Sequence, residues 1–173
     1  MRTIKINGKP FNIKFSYRAA RYEKCVETAF AVLSGASIMG EMGDKAEPKY
    51  SDFIKGTCKQ IALMPQMCDT FFYAGLLDDK ENEFRPKTEE EAGDLLIDYL
   101  EENPEKGYAD IYDSMLECMK EDGFFVKSGI QKRLDEMSEN MKKAQEEIEN
   151  AENTENITPI EKKTTTRKKA TAK

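Results

Sequence analysis

The segment Phe71–Leu77, "FFYAGLL", sets the terms for the fold. It carries no charge, in a chain in which 35% of residues are charged. Read with Cys68, the residues Phe71, Phe72, Gly75 and Leu76 form a wide apolar surface at helical spacing, and Tyr73 and Leu77 extend it. A helix apolar nearly all round sits in the middle of a bundle. The surface is a core wall, a groove for a partner, or a membrane contact. The last is disfavoured, because a bilayer span takes ~20 apolar residues and cations do not flank this run. The core reading is favoured, with Gly75 leaving room for a neighbouring backbone.

The remaining chain supplies elements to surround such a helix. Ile4, Ile6, Phe11, Ile13 and Phe15 alternate with polar residues about Asn7-Gly8, a pair that accepts positive φ. This predicts a β-hairpin with one apolar face, which needs a helix against it. Ser16 stands where an N-cap belongs, and Tyr22, Val26, Ala29, Phe30 and Leu33 follow at helical spacing until Gly35. Residues 35–50 contain three glycines and a proline and read as a mobile loop. A second helix is expected from Ser51, with Ile54, Cys58, Ile61 and Ala62 inward, stopping near Pro65. A third runs from about Gln66 to Leu77. Thr88 with Glu91 forms a capping box before Ala92, Leu95, Leu96, Tyr99 and Leu100. Ile111, Tyr112, Met115, Leu116 and Met119 mark one side of a fifth helix ending at Gly123, after which Phe124-Phe125 can fold back as a plug.

Beyond Val126 the pattern changes. Ile130, Leu134, Met137, Met141, Ala144 and Ile148 are spaced 4, 3, 4, 3 and 4, a heptad seam about three repeats long. So narrow a stripe buries little without a partner, and partial order is expected. It fits a solvent-lapped helix, a self-association contact, or a helix that docks on another protein. From about Asn150 the sequence is polar and low in apolar residues, which predicts disorder. The expected organisation is a mainly α body over 1–125, comprising a small helical bundle with an N-terminal β-hairpin. An amphipathic helix over 126–149 and a disordered basic tail over 150–173 follow.

Composition excludes much chemistry. The chain has no histidine, which removes imidazole-based triads and most zinc and iron sites. Phosphate-cradling and nucleophile-elbow glycine motifs are missing too. Cys25, Cys58, Cys68 and Cys118 lie far apart and read as small buried hydrophobes of a reducing compartment. Carboxylates at Asp79, Glu81, Glu83 and Glu90 imitate part of a calcium loop, but Phe84 occupies the position that needs glycine. A solvated acidic loop is the expectation there. No catalytic residue, metal or cofactor is expected. Residues 1–125 hold 16 Lys and Arg against 24 Asp and Glu, a net charge of −8, while residues 126–173 carry +2. An acidic body repels phosphates, and the basic end lacks aromatics to stack on bases, so specific nucleic-acid binding is not expected. The first residues lack the apolar stretch of a secretory leader, and a cytoplasmic protein is expected.

Four stretches in order give the chain a family likeness: "IKINGKPFNIKFSYRAARYE", "FFYAGLLDD", "KTEEEAGDLLIDYLEEN" and "CMKEDGFF". Over residues 2–125 the chain resembles the tail assembly chaperones of long-tailed bacteriophages that infect Gram-positive bacteria. The resemblance implies a small helical bundle with an N-terminal hairpin and no enzymatic activity. It also implies a client, the tape measure protein, whose long apolar helices the chaperone keeps soluble until tail tube subunits displace it. Such a protein works in the host cytoplasm and is absent from the finished virion. The family is known for a ribosomal frameshift that yields a longer form recruiting tube subunits. The pairs Lys162-Lys163 and Lys168-Lys169 are compatible with slippery codons. Expected partner-contact residues are Phe71, Phe72, Leu76, Phe124, Phe125, Ile130, Leu134, Met137, Met141 and Ile148. The competing readings are a tail completion or connector protein and, behind it, a small nucleic-acid-binding regulator.

Overall fold

The structure is a computed structural model and describes residues 2–36 and 50–155, with the side-chain surroundings of the last helix described through Ile148. The mobile-loop expectation for 37–49 and the disorder expectation for 156–173 lie outside the described residues. The chain divides into two compact units, Met1–Leu134 and Asp135–Lys173.

Unit one begins with strands β1 (Arg2–Ile6) and β2 (Lys9–Ile13), paired antiparallel with Ile4 opposite Phe11 and Ile6 opposite Lys9. Asn7 (φ 51°) and Gly8 (φ 73°) make the turn, as their chemistry predicts. One hairpin face is apolar: Ile6, Phe11 and Ile13 are fully buried, and Phe15 just beyond β2 joins them. Ser16 does not cap an α-helix. Its hydroxyl accepts from the Arg18 N–H at 3.0 Å and starts a single 3-10 turn at Ala19–Arg21. Helix α1 (Glu23–Leu33) starts after it, and Gly35, at φ 70°, ends it.

Helix α2 (Tyr50–Gly75) corrects the expected break at Pro65, since one helix runs through the proline. Pro65 lacks the N–H that would bond the Ile61 carbonyl, a defect that costs ~3 kcal/mol in an isolated helix. Downstream, Met67, Cys68, Phe71, Phe72 and Ala74 are all buried, and that packing outweighs the lost bond. Helix α3 (Glu89–Glu102) opens at Thr88, whose hydroxyl accepts from the Glu91 N–H at 3.1 Å. The Glu91 carboxylate reaches one residue further back than a strict capping box, to the Lys87 N–H at 2.6 Å. Helix α4 (Tyr108–Glu121) buries Ile111, Tyr112, Met115 and Met119 as its spacing predicts. Gly123, at φ 66°, then reverses the chain into the short helix α5 (Phe124–Lys127).

The core lies where the hairpin meets the second half of α2. Phe11 packs against Phe72 with ring centroids 6.3 Å apart, and Phe15 meets Phe124 edge-on at 5.6 Å. Gly75 does what the sequence required of it. Its carbonyl accepts from the Lys14 N–H at 2.8 Å, and a Cβ added there would stand 2.7 Å from Ile13 Cγ2. The compact unit reaches Leu134 because Ile130 is buried in its core. Helix α6 (Ile130–Glu155) runs past Asn150, where disorder was expected to begin.

Candidate functional site

The expected contact residues separate by exposure. Phe71, Phe72 and Phe124 are fully buried, Leu76 is 1% exposed and Ile130 2%. These five offer no surface to a partner, which corrects that part of the expectation in favour of the core reading. The physical reason is packing on both sides of α2: Phe72 and Phe124 meet Phe11 and Phe15 of the hairpin segment, while Phe71 packs on Tyr112 of α4 with ring centroids 6.2 Å apart. Phe125 and Leu134 are partly buried against the same core. Met137, Met141 and Ile148, in the second unit, are exposed. They keep the i, i+4, i+11 spacing of one helix side and remain candidates.

The first half of α2 turns its apolar side outward, opposite to the expectation. Ile54, Cys58, Ile61 and Ala62 were expected to point inward, yet all four are exposed. Tyr50, Phe53, Ile54, Cys58 and Ile61 fall on one helical face, at i, i+3, i+4, i+8 and i+11. Tyr50 is 78% exposed and Ile61 60%, and the rings of Tyr50 and Phe53 stack at 6.4 Å. Leu63 adds a further exposed side chain beside this face. The buried positions of this half-helix are instead Asp52 and Gly56, one turn apart. Periodicity reports that a helix has an apolar face, not which side the rest of the protein occupies. The buried side, Asp52 and Gly56, is small or charged rather than apolar, so no hydrophobic signal marks it.

Exposure also separates the cysteines. Cys25, Cys68 and Cys118 are buried as expected, and Cys58 is not. Burial pushes the Cys25 and Cys68 thiols up to about 12, with Glu89 adding to the first and Asp69 to the second.

Two polar clusters lie between the helices. Glu89, at the start of α3, accepts from the Tyr22 hydroxyl and pairs with the Lys24 ammonium. Burial raises the Tyr22 phenol, and the hydrogen bond to Glu89 raises it further. Nearby, Asp69 on α2 faces Gly93 on α3 so closely that a Cβ there would lie 3.0 Å from its Cγ. Burial raises the Asp69 carboxyl, Glu89 and Asp94 add to the shift, and Lys24 opposes it. Its Oδ1 is buried and has no hydrogen-bond partner among the described residues.

Asp79 corrects the expectation of a merely solvated loop. It accepts from the Asn12 N–H at 3.0 Å and from the Asn82 side chain at 2.9 Å. Burial works against the charged form, but the bonds from Asn12 and Asn82, together with Arg85, outweigh it and hold the carboxyl below its ordinary value. That carboxylate closes the outer edge of β2. Among the described residues no group of His, Cys, Asp or Glu is arranged to hold a metal ion, and no helix is long and apolar enough to cross a membrane.

No family model, curated protein or solved structure matches the chain. Any reading of its function therefore stands on its own residues and on the resemblance noted in the sequence.

Proposed function

We propose that the chain is a non-enzymatic tail assembly chaperone of a long-tailed bacteriophage. In this reading it binds the tape measure protein in the host cytoplasm, keeps that long helical client soluble, helps recruit tail tube subunits, and is left out of the finished virion. The tube subunits would be met through a longer, frameshifted form of the chain.

One observation carries the reading: apolar helical rows stand uncovered on a chain of net charge −6. The row Tyr50–Ile61 lies in unit one, and the row Met137, Met141 and Ile148 lies in unit two. Exposed apolar patches of this kind mark interaction surfaces. Side chains at i, i+3, i+4 and i+7 spacing suit the apolar face of another helix. Methionine, flexible and polarizable, accommodates client segments that differ in sequence. The negative charge keeps a complex of many such chains on one client apart and in solution. Several modest contacts along a long client give avidity while each stays reversible, which displacement by tube subunits requires.

The test is co-expression with the gene product encoded next to it that has the length and helical character of a tape measure. The native chain raises the soluble fraction of that client. The double variant Phe53→Ser with Ile61→Ser folds with a thermal midpoint near that of the native chain, because surface substitutions stay within about ±0.5 kcal/mol, but it loses most of the rescue. Equal rescue by the variant and by the variant lacking Met137 and Met141 side chains would refute the reading. So would finding the chain in stoichiometric amounts in purified virions, which belongs instead to a connector protein.

A further inference from the structure

The two edges of the hairpin are treated differently. In a two-residue hairpin the pair flanking the turn exchanges backbone hydrogen bonds, and bonded and non-bonded pairs alternate from there. Ile6 opposite Lys9, Ile4 opposite Phe11 and Arg2 opposite Ile13 are the bonded pairs; Lys5 opposite Pro10 and Thr3 opposite Asn12 turn their main-chain groups outward. The contacts of β2 agree with this phase. The outward Asn12 N–H goes to Asp79 at 3.0 Å, and the outward Pro10 carbonyl accepts from Asn82 at 2.8 Å. Pro10, having no N–H, leaves nothing unsatisfied.

On β1 only the turn end is closed, where the Asn7 N–H donates to the Glu102 carboxylate at 3.0 Å. The main-chain groups of Thr3 and Lys5 have no hydrogen-bond partner among the described residues outside the hairpin. Beside this open edge lies a groove of about 380 Å³ between β1, α3 and α4. Its apolar lining is Ile4, Leu96, Ile111 and Met115, with Tyr99 and Ser114 above. An open strand edge next to an apolar groove is the arrangement by which a sheet accepts an extended peptide: main-chain bonds hold it, and every second side chain enters the groove.

Charge decides among possible occupants. Residues 1–15 contain Arg2, Lys5, Lys9 and Lys14 and not one Asp or Glu, in a chain that is acidic as a whole. Lys5 shares the outer hairpin face with Thr3, is exposed, and makes no ion pair among the described residues. A second copy of β1 carries Arg2 and Lys5 and no acid, so it brings Lys5 no partner of opposite charge. The chain's own Lys162–Lys173 sequence is basic as well. On the groove side the lining is mixed, with Arg2 and Lys106 against Asp110, Asp113 and Glu117. Arg2 is paired with Glu117 at 3.8 Å, so the acids are in excess and the groove gives a carboxylate no free partner at Arg2. The occupant therefore alternates, with apolar residues toward the groove and acids toward Lys5.

We propose that the outer edge of β1 is a strand-addition site for an extended acidic segment of another protein, with apolar and acidic residues alternating. The site is separate from the helical rows on which the chaperone reading rests, and either can fail without the other.

The experiment uses the full chain, nitrogen-15 labelled, and a blocked peptide of alternating valine and glutamate as the probe. Comparators are the same peptide N-methylated at alternate residues and its valine–lysine counterpart. The glutamate peptide slows hydrogen exchange at the Thr3 and Lys5 amides by about tenfold or more, and both comparators leave them unchanged. Thr3→Pro removes one outward donor at a position equivalent to that of Pro10, so the hairpin persists, as the Asn12 and Ile13 amide signals report, and affinity falls. Lys5→Glu moves the preference to the lysine peptide, which keeps the test open should the proline variant misfold. Unchanged exchange at Thr3 and Lys5 up to the peptide's solubility limit overturns the proposal. Equal binding of the N-methylated peptide also overturns it, because backbone pairing would then play no part.

Discussion

Gly75→Ala tests whether the hairpin and α2 are locked as closely as the structure has them. The added Cβ would stand 2.7 Å from Ile13 Cγ2, while ordinary contacts begin at 3.4 Å, so something must move by about 0.7 Å. Little can move. Ile13 is fully buried and β-branched, with one favoured rotamer on its strand. The Lys14 N–H is tied to the Gly75 carbonyl at 2.8 Å, which holds the two backbones at their present separation. Overpacking of this sort costs ~1–3 kcal/mol. Replacing a helical glycine returns ~0.5–1 kcal/mol by restricting the unfolded chain. The expected net loss spans about 0–2.5 kcal/mol and centres on about 1.2 kcal/mol, which at a slope of ~2 kcal/mol/M lowers the urea midpoint by roughly 0.6 M. Ile13→Ala, made alone and with Gly75→Ala, completes a double-mutant cycle. Because the truncated side chain no longer carries Cγ2, the two losses are sub-additive by at least about 0.5 kcal/mol. Losses that simply add in this cycle would show that the close approach is not there.

The Asp69 carboxyl is raised in the folded state by burial, so the fold favours its protonated form. Its unfavourable effect is absent below the unfolded value of ~3.9 and grows as pH rises through that value to the folded one. Asp69→Asn is therefore more stable than the native chain at neutral pH, and the difference closes on acidification below about 4; thermal melts that keep a constant gap at every pH would contradict this. The thiols divide in the same way by exposure. In the folded protein at mildly alkaline pH an aromatic disulfide reagent labels Cys58 quickly, whereas Cys25, Cys68 and Cys118 react only on unfolding. Peptide mapping that finds Cys68 labelled as fast as Cys58 would show that α2 is not seated as described.

Local chemistry that speaks through one or two residues was legible from the sequence. Asn7-Gly8 could make only a tight turn with positive φ, Gly35 and Gly123 ended helices because they reach φ 70° and 66°, and Thr88 offered its hydroxyl to the amide three residues on. The burial of Phe71 and Phe72 followed because both sides of that helix are apolar, which leaves no exposed orientation. Three features needed tertiary information. Helix α2 passes Pro65 because of side chains that pack downstream of it, and no local propensity carries that sum. The outward face at Tyr50–Ile61 is amphipathic in either orientation, so period alone could not orient it. Asp79 is one acid among several in its loop, and only the folded hairpin brings the Asn12 N–H within 3.0 Å of it.

The division of α2 at Pro65 bears on how its exposed apolar face is held in helical form. A half-helix that buries little, as Tyr50–Met64 does, sits at the low end of local stability when considered alone. It is not alone, because helix nucleation is the costly step and the buried turns at Met67–Gly75 supply the nucleus. Beyond the ~3 kcal/mol defect at Pro65, which the downstream packing offsets, residues upstream add to an existing helix at small cost each, so the apolar face is held in helical form. A partner meeting that face is spared the ordering of its backbone, a cost that otherwise falls on binding. The missing bond at Ile61 and Pro65 marks the natural joint between the two halves. The second half packs against Phe11, Ile13 and Phe15, so a change in direction of the first half falls at this joint. A Pro65→Ala change stiffens this joint and raises helix stability; under the chaperone function proposed above it also narrows the range of client segments rescued, which comparison of several tape measure fragments would reveal.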